Sequence, residues 1–322
     1  MSIDPFAVRA LLGPDAAVCR RAVSGEHGIA LPPLIDHHVH SHLADVSGMP
    51  SRGIAGVVDL GGDPVALVRD RDGGMPHVAY AGAFLTAPGG YPSGRSWAPA
   101  STVRQIAGNA GLGVAGGIDT AVDEQAAFGA SVIKVALNAN AGPVFDAATL
   151  AAVLATAHDR GLPVVAHVEG VGMARLALDA GVDTLAHTPF SDLLDDAELA
   201  AAVARGQRWI STLTIHEGAD RERAEANLGA FAAAGGSVLY GTDLGNGDQP
   251  LGINPAELGA LRAAGLSADA LVRALADPWP LDTAPAGVAT FVPGRPPTDD
   301  DAVPGWLAGA IVVPAEELVH DD

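Results

Sequence analysis

Short apolar runs bounded by glycine, proline and polar residues alternate along this chain with longer stretches whose apolar positions recur at helical spacing. Eight of the short runs read as strands: 33–40 (PLIDHHVH), 54–60 (IAGVVDL), 77–85 (HVAYAGAFL), 131–137 (SVIKVAL), 163–168 (PVVAHV), 183–188 (DTLAHT), 208–213 (RWISTL) and 237–243 (SVLYGTD). They are rich in Val, Ile and Ala with little alternation, as expected of a sheet covered on both faces. Helical patterns occupy 146–160, 170–180, 196–205, 219–234 and 254–275, and the first four run into Gly161, Gly181, Gly206 and Gly235 as stop signals. This alternation predicts βα units around a parallel sheet. The link between the first two strands is short, with only a weak helix pattern. The link between the third and fourth strands covers about 45 residues and opens with TAPGGYPSGRSWAPA, too rich in Gly and Pro for a helix.

The chain has 322 residues, which suits a (β/α)8 TIM barrel of roughly 250 residues with extra segments. The barrel is expected over 31–285. The flanks, 1–30 and 286–322, carry short strand candidates such as 309–313 and are expected to form a reduced accessory β domain, with 293–304 as a loop. Hydrophobic residues make up 48% of the chain, enough for a sizeable core. No apolar run reaches membrane-spanning length, so no span is expected. The first residues include Asp4 and no basic region, so no secretory leader is expected either. Cys19 is the single cysteine, which excludes an intrachain disulfide and makes a reducing cytoplasm the simplest setting. A net charge of −20 argues against nucleic acid and anionic membranes as partners. A small-molecule substrate is the expected partner, and homo-oligomerisation stays open.

The basic residues change the picture further. Of the 18, 17 are arginine and one is lysine, Lys134, set in the apolar run SVIKVAL. Arginine stays protonated, whereas a buried lysine can become a neutral amine and take part in covalent chemistry. In the first strand, His38 and His40 are two apart and share a face, a two-point grip for a metal ion. Asp36 lies one step further back on that face and is expected to support a ligand, while alternation turns His37 away. Lys134, His167, His187 and Asp243 each sit near the C-terminal end of a separate predicted strand, where barrel catalytic residues gather. Any one of these histidines alone is more often a structural residue. Six candidate ligands on five strands, namely His38, His40, Lys134, His167, His187 and Asp243, are hard to explain as packing.

In this order and spacing the segments LIDHHVH, GIAGVVDLGG, SVIKVAL, GLPVVAHVEG, AGVDTLAHTPF and YGTDLG resemble the amidohydrolase superfamily, in particular its imidazolonepropionase-like and prolidase-like members. The resemblance covers residues 33 to about 275. It implies a metal-dependent hydrolase with a binuclear centre. His38 and His40 would hold the more buried ion, His167 and His187 the more exposed one. Lys134, carboxylated by carbon dioxide, would bridge both, and Asp243 would bind the buried ion and handle protons. Zinc suits such ligands best, with Mn, Co, Ni or Fe as alternatives. A hydroxide bridging the ions would attack an amide-type carbon–nitrogen bond, or a lactone or ester, of a small molecule.

Two rivals remain. Glu169 repeats the i, i+2 relation with His167 and would be the proton shuttle of a mononuclear metal deaminase, which leaves Lys134 idle. A barrel that only binds a ligand would tolerate loss of a metal ligand, and none is lost. A serine or cysteine hydrolase is set aside, because no Gly-x-Ser-x-Gly occurs and Cys19 lies in a flank. Substrate contacts are expected from the βα loops: Tyr91, Arg95 and Trp97 after the third strand, with Arg95 pairing a substrate anion, and His216 after the seventh.

Overall fold

A computed structural model describes residues 3–71, 74–108 and 116–320. The described strands are β1 Ala17–Arg21, β2 His27–Leu31, β3 Ile35–Val39, β4 Gly56–Asp59, β5 His77–Tyr80, β6 Phe84–Thr86, β7 Val103–Gln105, β8 Ile133–Asn138, β9 Val164–Glu169, β10 Thr184–Ala186, β11 Arg208–Ile210, β12 Ser237–Leu239, β13 Val288–Pro293, β14 Ile311–Pro314 and β15 Leu318–His320. The helices are α1 Pro5–Leu12, α2 Pro64–Arg71, α3 Ile118–Ala127, α4 Ala147–His158, α5 Met173–Ala180, α6 Asp196–Ala204, α7 Gly218–Ala233, α8 Pro255–Ala263, α9 Ala268–Ala276 and α10 Val303–Leu307.

Each of the eight predicted strands is present. The third is split: β5 pairs in parallel with β4, the chain bends over 81–83, and β6 pairs in parallel with β8. One parallel sheet runs β12-β11-β10-β9-β8-β6-β7 and another β3-β4-β5. Hydrogen bonds tie their ends. Ser131 N donates to Tyr80 O at 2.9 Å, and on the other side His37 N donates to Tyr240 O at 3.0 Å and His40 N to Leu244 O at 2.8 Å. A parallel bridge also joins Val39 to Leu244. One apolar cluster takes Ile35, Val58, Ala79, Val165, Ala186, Ile210 and Leu239 from these strands and Val132 from the position just before β8, and includes Trp279. The side chains that face this cluster are therefore shared by all eight strands, which alternation along each strand requires.

Helix ends follow the local chemistry. Asp146 accepts from Thr149 N at 2.7 Å to start α4, and Asp195 with Glu198 forms a reciprocal cap on α6. Asn254 caps α8 and Pro255 follows at its first position. The single helix expected over 254–275 is two: α8 ends before Gly265, whose φ of 101° is left-handed, Leu266 turns inward, and Ser267 precedes α9. Periodicity alone could not place that break, because Leu258, Leu261, Leu271 and Leu275 keep helical spacing across it. The long third link carries β7 and then α3. The flanks pair as a five-stranded antiparallel sheet, β14-β13-β2-β1-β15. Its strand after 309 begins at Ile311 rather than at residue 309. The loop expected over 293–304 includes a short turn of 3-10 helix at Asp300–Ala302 and the start of α10. Among the described residues, no helix is long and apolar enough to cross a membrane.

Candidate metal centre and catalytic cavity

All six candidate ligands line one cavity of about 400 Å³, together with Tyr91, Trp97, Glu169 and His216. Every one of the six ligands is buried. His40 follows β3, His187 follows β10 and Asp243 lies four residues beyond β12, so these three occupy the turns just after their strands. Lys134 does not sit at the strand end, as its sequence position suggested. It is the second residue of β8, opposite Phe84 and Val165, and it enters the cavity from a deeper layer. Ala136, two residues on and on the same face, leaves room for the four-carbon stem to rise.

Backbone geometry marks the same places. Among the described residues, the non-glycine residues with positive φ are His187 (70°), Thr212 (43°) and Asp243 (54°). A side chain rarely tolerates that conformation unless its surroundings impose it. Here two candidate ligands adopt it, and so does the residue whose hydroxyl holds one of them.

The tightest group joins His38, His40 and Asp243, whose ligand atoms all lie within 4.8 Å of one another. Asp243 Oδ1 is 3.2 Å from His38 Nε2 and 3.3 Å from His40 Nε2. The contact is one of convergence rather than hydrogen bonding: Asp243 Oδ1 and both ring nitrogens of His38 are buried without a hydrogen-bond partner. Such atoms are costly in a folded protein unless something else meets them. Imidazole and carboxylate donors so placed fit a divalent transition-metal ion. The ring of His187 lies 4.8 Å from that of His38, and His167 lies 4.9 Å from His187, so the four imidazoles form a continuous row.

Neighbours fix the orientation of two ligands. His40 Nδ1 lies 3.1 Å from Gly61 O, and His187 Nδ1 lies 2.9 Å from Thr212 Oγ1, which leaves each Nε2 for another partner. Gly61 has φ 147°, and a Cβ there would lie 2.2 Å from the Phe84 ring, so the carbonyl that holds His40 needs a glycine. Asp59, buried at the end of β4, accepts from Ser41 N, Ser41 Oγ and Gly61 N and so pins both segments around His40. Glu257 accepts from Leu213 N, Thr214 N and Thr214 Oγ1, fixing the turn that bears Thr212 and His216. Asp36 supports the candidate ligands through the backbone: it accepts from His38 N at 3.1 Å, and from Thr242 N at 3.0 Å and Thr242 Oγ1 at 2.6 Å, so it also anchors the residue before Asp243. His37 faces away, with its ring nitrogens at Tyr240 O and Asp277 O.

Burial governs the electrostatics. It pulls the Lys134 amine down to about 7, against the carboxylates of Asp243 and Asp59. It also lowers His167 and holds His38 and His187 well below the usual imidazole value. Burial alone would lower His40 as well, but the Asp243 carboxylate outweighs it and raises the ring. Burial would raise Asp243, and His38, His40 and His187 overcome that and hold it well below the carboxylate range. Asp36 is pushed up to about 7 by burial. Apart from His40, whose ring Asp243 favours in its charged form, the site thus combines neutral imidazoles, an ionised carboxylate and a lysine drawn towards its neutral amine, the protonation states in which each can bind a metal.

The remaining expected residues fall at the rim. Tyr91 stacks on His167 at 5.1 Å between ring centres, and Trp97 packs against Phe84, Tyr91 and His42. His216 packs on Phe190 at 4.1 Å. Arg95 is not brought into the cavity: it is exposed, with its guanidinium 5.8 Å from the centre of the Tyr91 ring. Glu169 Oε2 lies 2.7 Å from Asn138 Nδ2 and 3.4 Å from His167 Nε2. Sequence reading missed Asn138, Thr212, Asp59 and Glu257. Asn138 was detectable, since it shares the face of Lys134 four residues on. The charge of Asp59 inside GVVD was a second unused signal.

No protein-family model matches the chain, and no curated protein matches it by sequence. Solved structures do. A Xaa-Pro dipeptidase with bound methionine superposes with a TM-score of 0.65 over 91% of this chain and 87% of that one, at 19% identity. An ochratoxinase of A. niger gives 0.67 over 87% and 81%, at 17% identity. An amidohydrolase gives 0.65 over 91% and 87%, at 20% identity. At these identities the likeness establishes the fold alone, which this chain shares with those proteins.

Proposed function

We propose that this protein is a metal-dependent hydrolase that cleaves an amide-type carbon–nitrogen bond, or a lactone or ester, of a small molecule. The observation that carries this reading is the convergence of His38, His40 and Asp243 on one buried point, with Lys134, His167 and His187 lining the same cavity. The hydrolases of like fold support it. In this reading the eight parallel strands close into a (β/α)8 barrel over 31–285, the five-stranded sheet of the flanks is an accessory domain, and the cavity is the barrel mouth.

His38, His40 and Asp243 would hold one ion and His167 and His187 a second, with Lys134 shared between them as its carbamate. Bound divalent ions, zinc foremost, supply Lewis acidity that acidifies a water and polarises the scissile carbonyl. The chain's own groups do the rest. Lys134, whose amine burial draws towards its neutral form, could add carbon dioxide through its nitrogen, forming an N–C bond and releasing one proton to solvent, and so become an anionic carbamate able to ligate metal. Asp243 takes the proton of the attacking water and hands it to the leaving nitrogen. Tyr91 and Trp97 close one side of the cavity and restrict bulk water.

Purified protein loaded with metal in bicarbonate buffer is expected to carry about two divalent ions per chain by elemental analysis, and a chelator should abolish hydrolysis. A firm single ion, with no second ion on titration, would favour a mononuclear deaminase. Glu169, ionised and held by Asn138 and Asn140, is placed for the shuttle that such an enzyme needs.

The hydroxyl on His187 offers a finer check. Thr212→Val keeps the shape but removes the partner of His187 Nδ1. Affinity for the weaker-bound ion should fall about 10–100-fold with the first ion retained, as read by competition with a chromogenic chelator. Unchanged affinity for both ions would remove His187 from the ligand set.

A further inference from the structure

Within the hydrolase reading, the cavity also carries information about what it admits. Its lining includes the apolar and aromatic side chains of Phe84, Tyr91, Trp97 and Phe190, with Leu43 and Ile215. None of the 17 arginines lines it, and all of them lie among the described residues. The arginines around it are otherwise engaged. Arg221 pairs with Glu225 and Leu213 O, and Arg223 with Asp220 and Phe190 O. Arg95 lies outside, over Tyr91. Lys134 is the one lysine or arginine in the lining, and it belongs to the metal ligands. Beyond those ligands the polar lining is Asn246, His216, whose ring burial lowers to about 4, and the Glu169 carboxylate, the charged group among them. It is oriented by the amides of Asn138 and Asn140.

A substrate carboxylate placed beyond the scissile bond would lose its hydration against aromatic rings and meet Glu169 with no arginine and no lysine other than Lys134 in the lining. The chain's overall charge of −20 adds to that repulsion. A carboxylate that bound the metal ions directly would block the site rather than react. An aromatic or branched apolar group, by contrast, finds apolar partners in the Trp97 and Phe190 side chains that line the cavity, and an amide N–H can donate to Glu169. We infer that the site takes uncharged amides or esters bearing an aromatic or branched apolar group, and turns away analogues that carry a carboxylate beyond the scissile bond.

The test uses the metal-loaded protein and a panel of N-acyl anilides, N-acyl benzylamines, aryl lactams and aryl esters. Each is paired with an analogue carrying one carboxylate. The neutral members are expected to react with kcat/KM at least about 100-fold higher. Glu169→Gln should narrow that gap by about tenfold or more, and Trp97→Ala should cost aryl substrates about tenfold while sparing methyl analogues. Equal or preferred turnover of the carboxylates overturns the inference while leaving the hydrolase reading intact. Turnover that survives a chelator overturns the metal-dependent reading instead. No turnover anywhere in the panel overturns both.

Discussion

Replacing Lys134 with methionine is expected to cost at least about 1000-fold in kcat/KM and most of the bound metal, and yet to leave a folded chain that is more stable than the wild type. Lys134 is 1% exposed, enclosed by apolar strands, and burial already drives its amine towards neutrality. Methionine keeps the length of the stem and removes the polar end, so packing survives. Exchanging buried charged groups for apolar ones of similar volume is commonly neutral or stabilising by about 1–4 kcal/mol, which should appear as a melting temperature a few degrees higher in metal-free protein. The activity lost and the stability gained have one cause: a polar group held where only function needs it. Lys134→Arg should fail equally in catalysis, because guanidinium stays protonated and cannot form a carbamate. Intact mass of metal-loaded wild type under mild conditions should show one added carbon dioxide that the methionine variant lacks. A methionine variant with both ions and wild-type turnover would end this account of the site.

Asp243→Asn is expected to lower kcat at least about 1000-fold with little change in folding. The carboxylate is the meeting point of His38 and His40 and, in the proposed mechanism, the acid that moves the proton. Asparagine has the same shape but cannot take that proton, and it offers a weaker donor to the ion. The choice of asparagine over alanine follows from the backbone. Asp243 has φ 54°, a conformation that asparagine tolerates well and alanine poorly. Asp243→Ala should therefore lose stability as well as activity, whereas Asp243→Asn should melt close to the wild type. Separation of the two variants in thermal unfolding, with both inactive, checks the chemical role and the backbone argument together. An active asparagine variant would move proton transfer to another group, with Glu169 the next candidate.

The site was readable because its donors are chemically unusual where they stand. Histidines at strand ends, a lysine inside SVIKVAL and an aspartate closing SVLYGTD contradict the apolar pattern around them, and such contradictions gather at functional sites. The strands were readable for the complementary reason: buried parallel strands are short apolar runs, and glycine and proline punctuate them. What failed lay where local pattern and packing diverge. Leu258 to Leu275 keep helical spacing, yet Gly265 breaks the helix. The lysine was read as lying near the end of its strand, yet it is the second residue of β8. Arg95 was given a substrate role for being near the catalytic face, and the path of its loop puts it outside.

The chain alone determined its βα order, its candidate donors and the spacing that lets His38 and His40 share a face, because these follow from periods of 3.6 and 2.0 along one strand or helix. Tertiary structure decided everything that depends on two segments meeting. Thr212 reaches His187, Gly61 holds His40, Asp36 anchors Thr242, and Glu257 fixes a turn more than forty residues away. The same holds for the aromatic wall and for the lack of an arginine within it. No local period encodes contacts between segments so far apart in the chain. They exist only once the strands lie side by side and burial has set the cost of every unpaired polar atom.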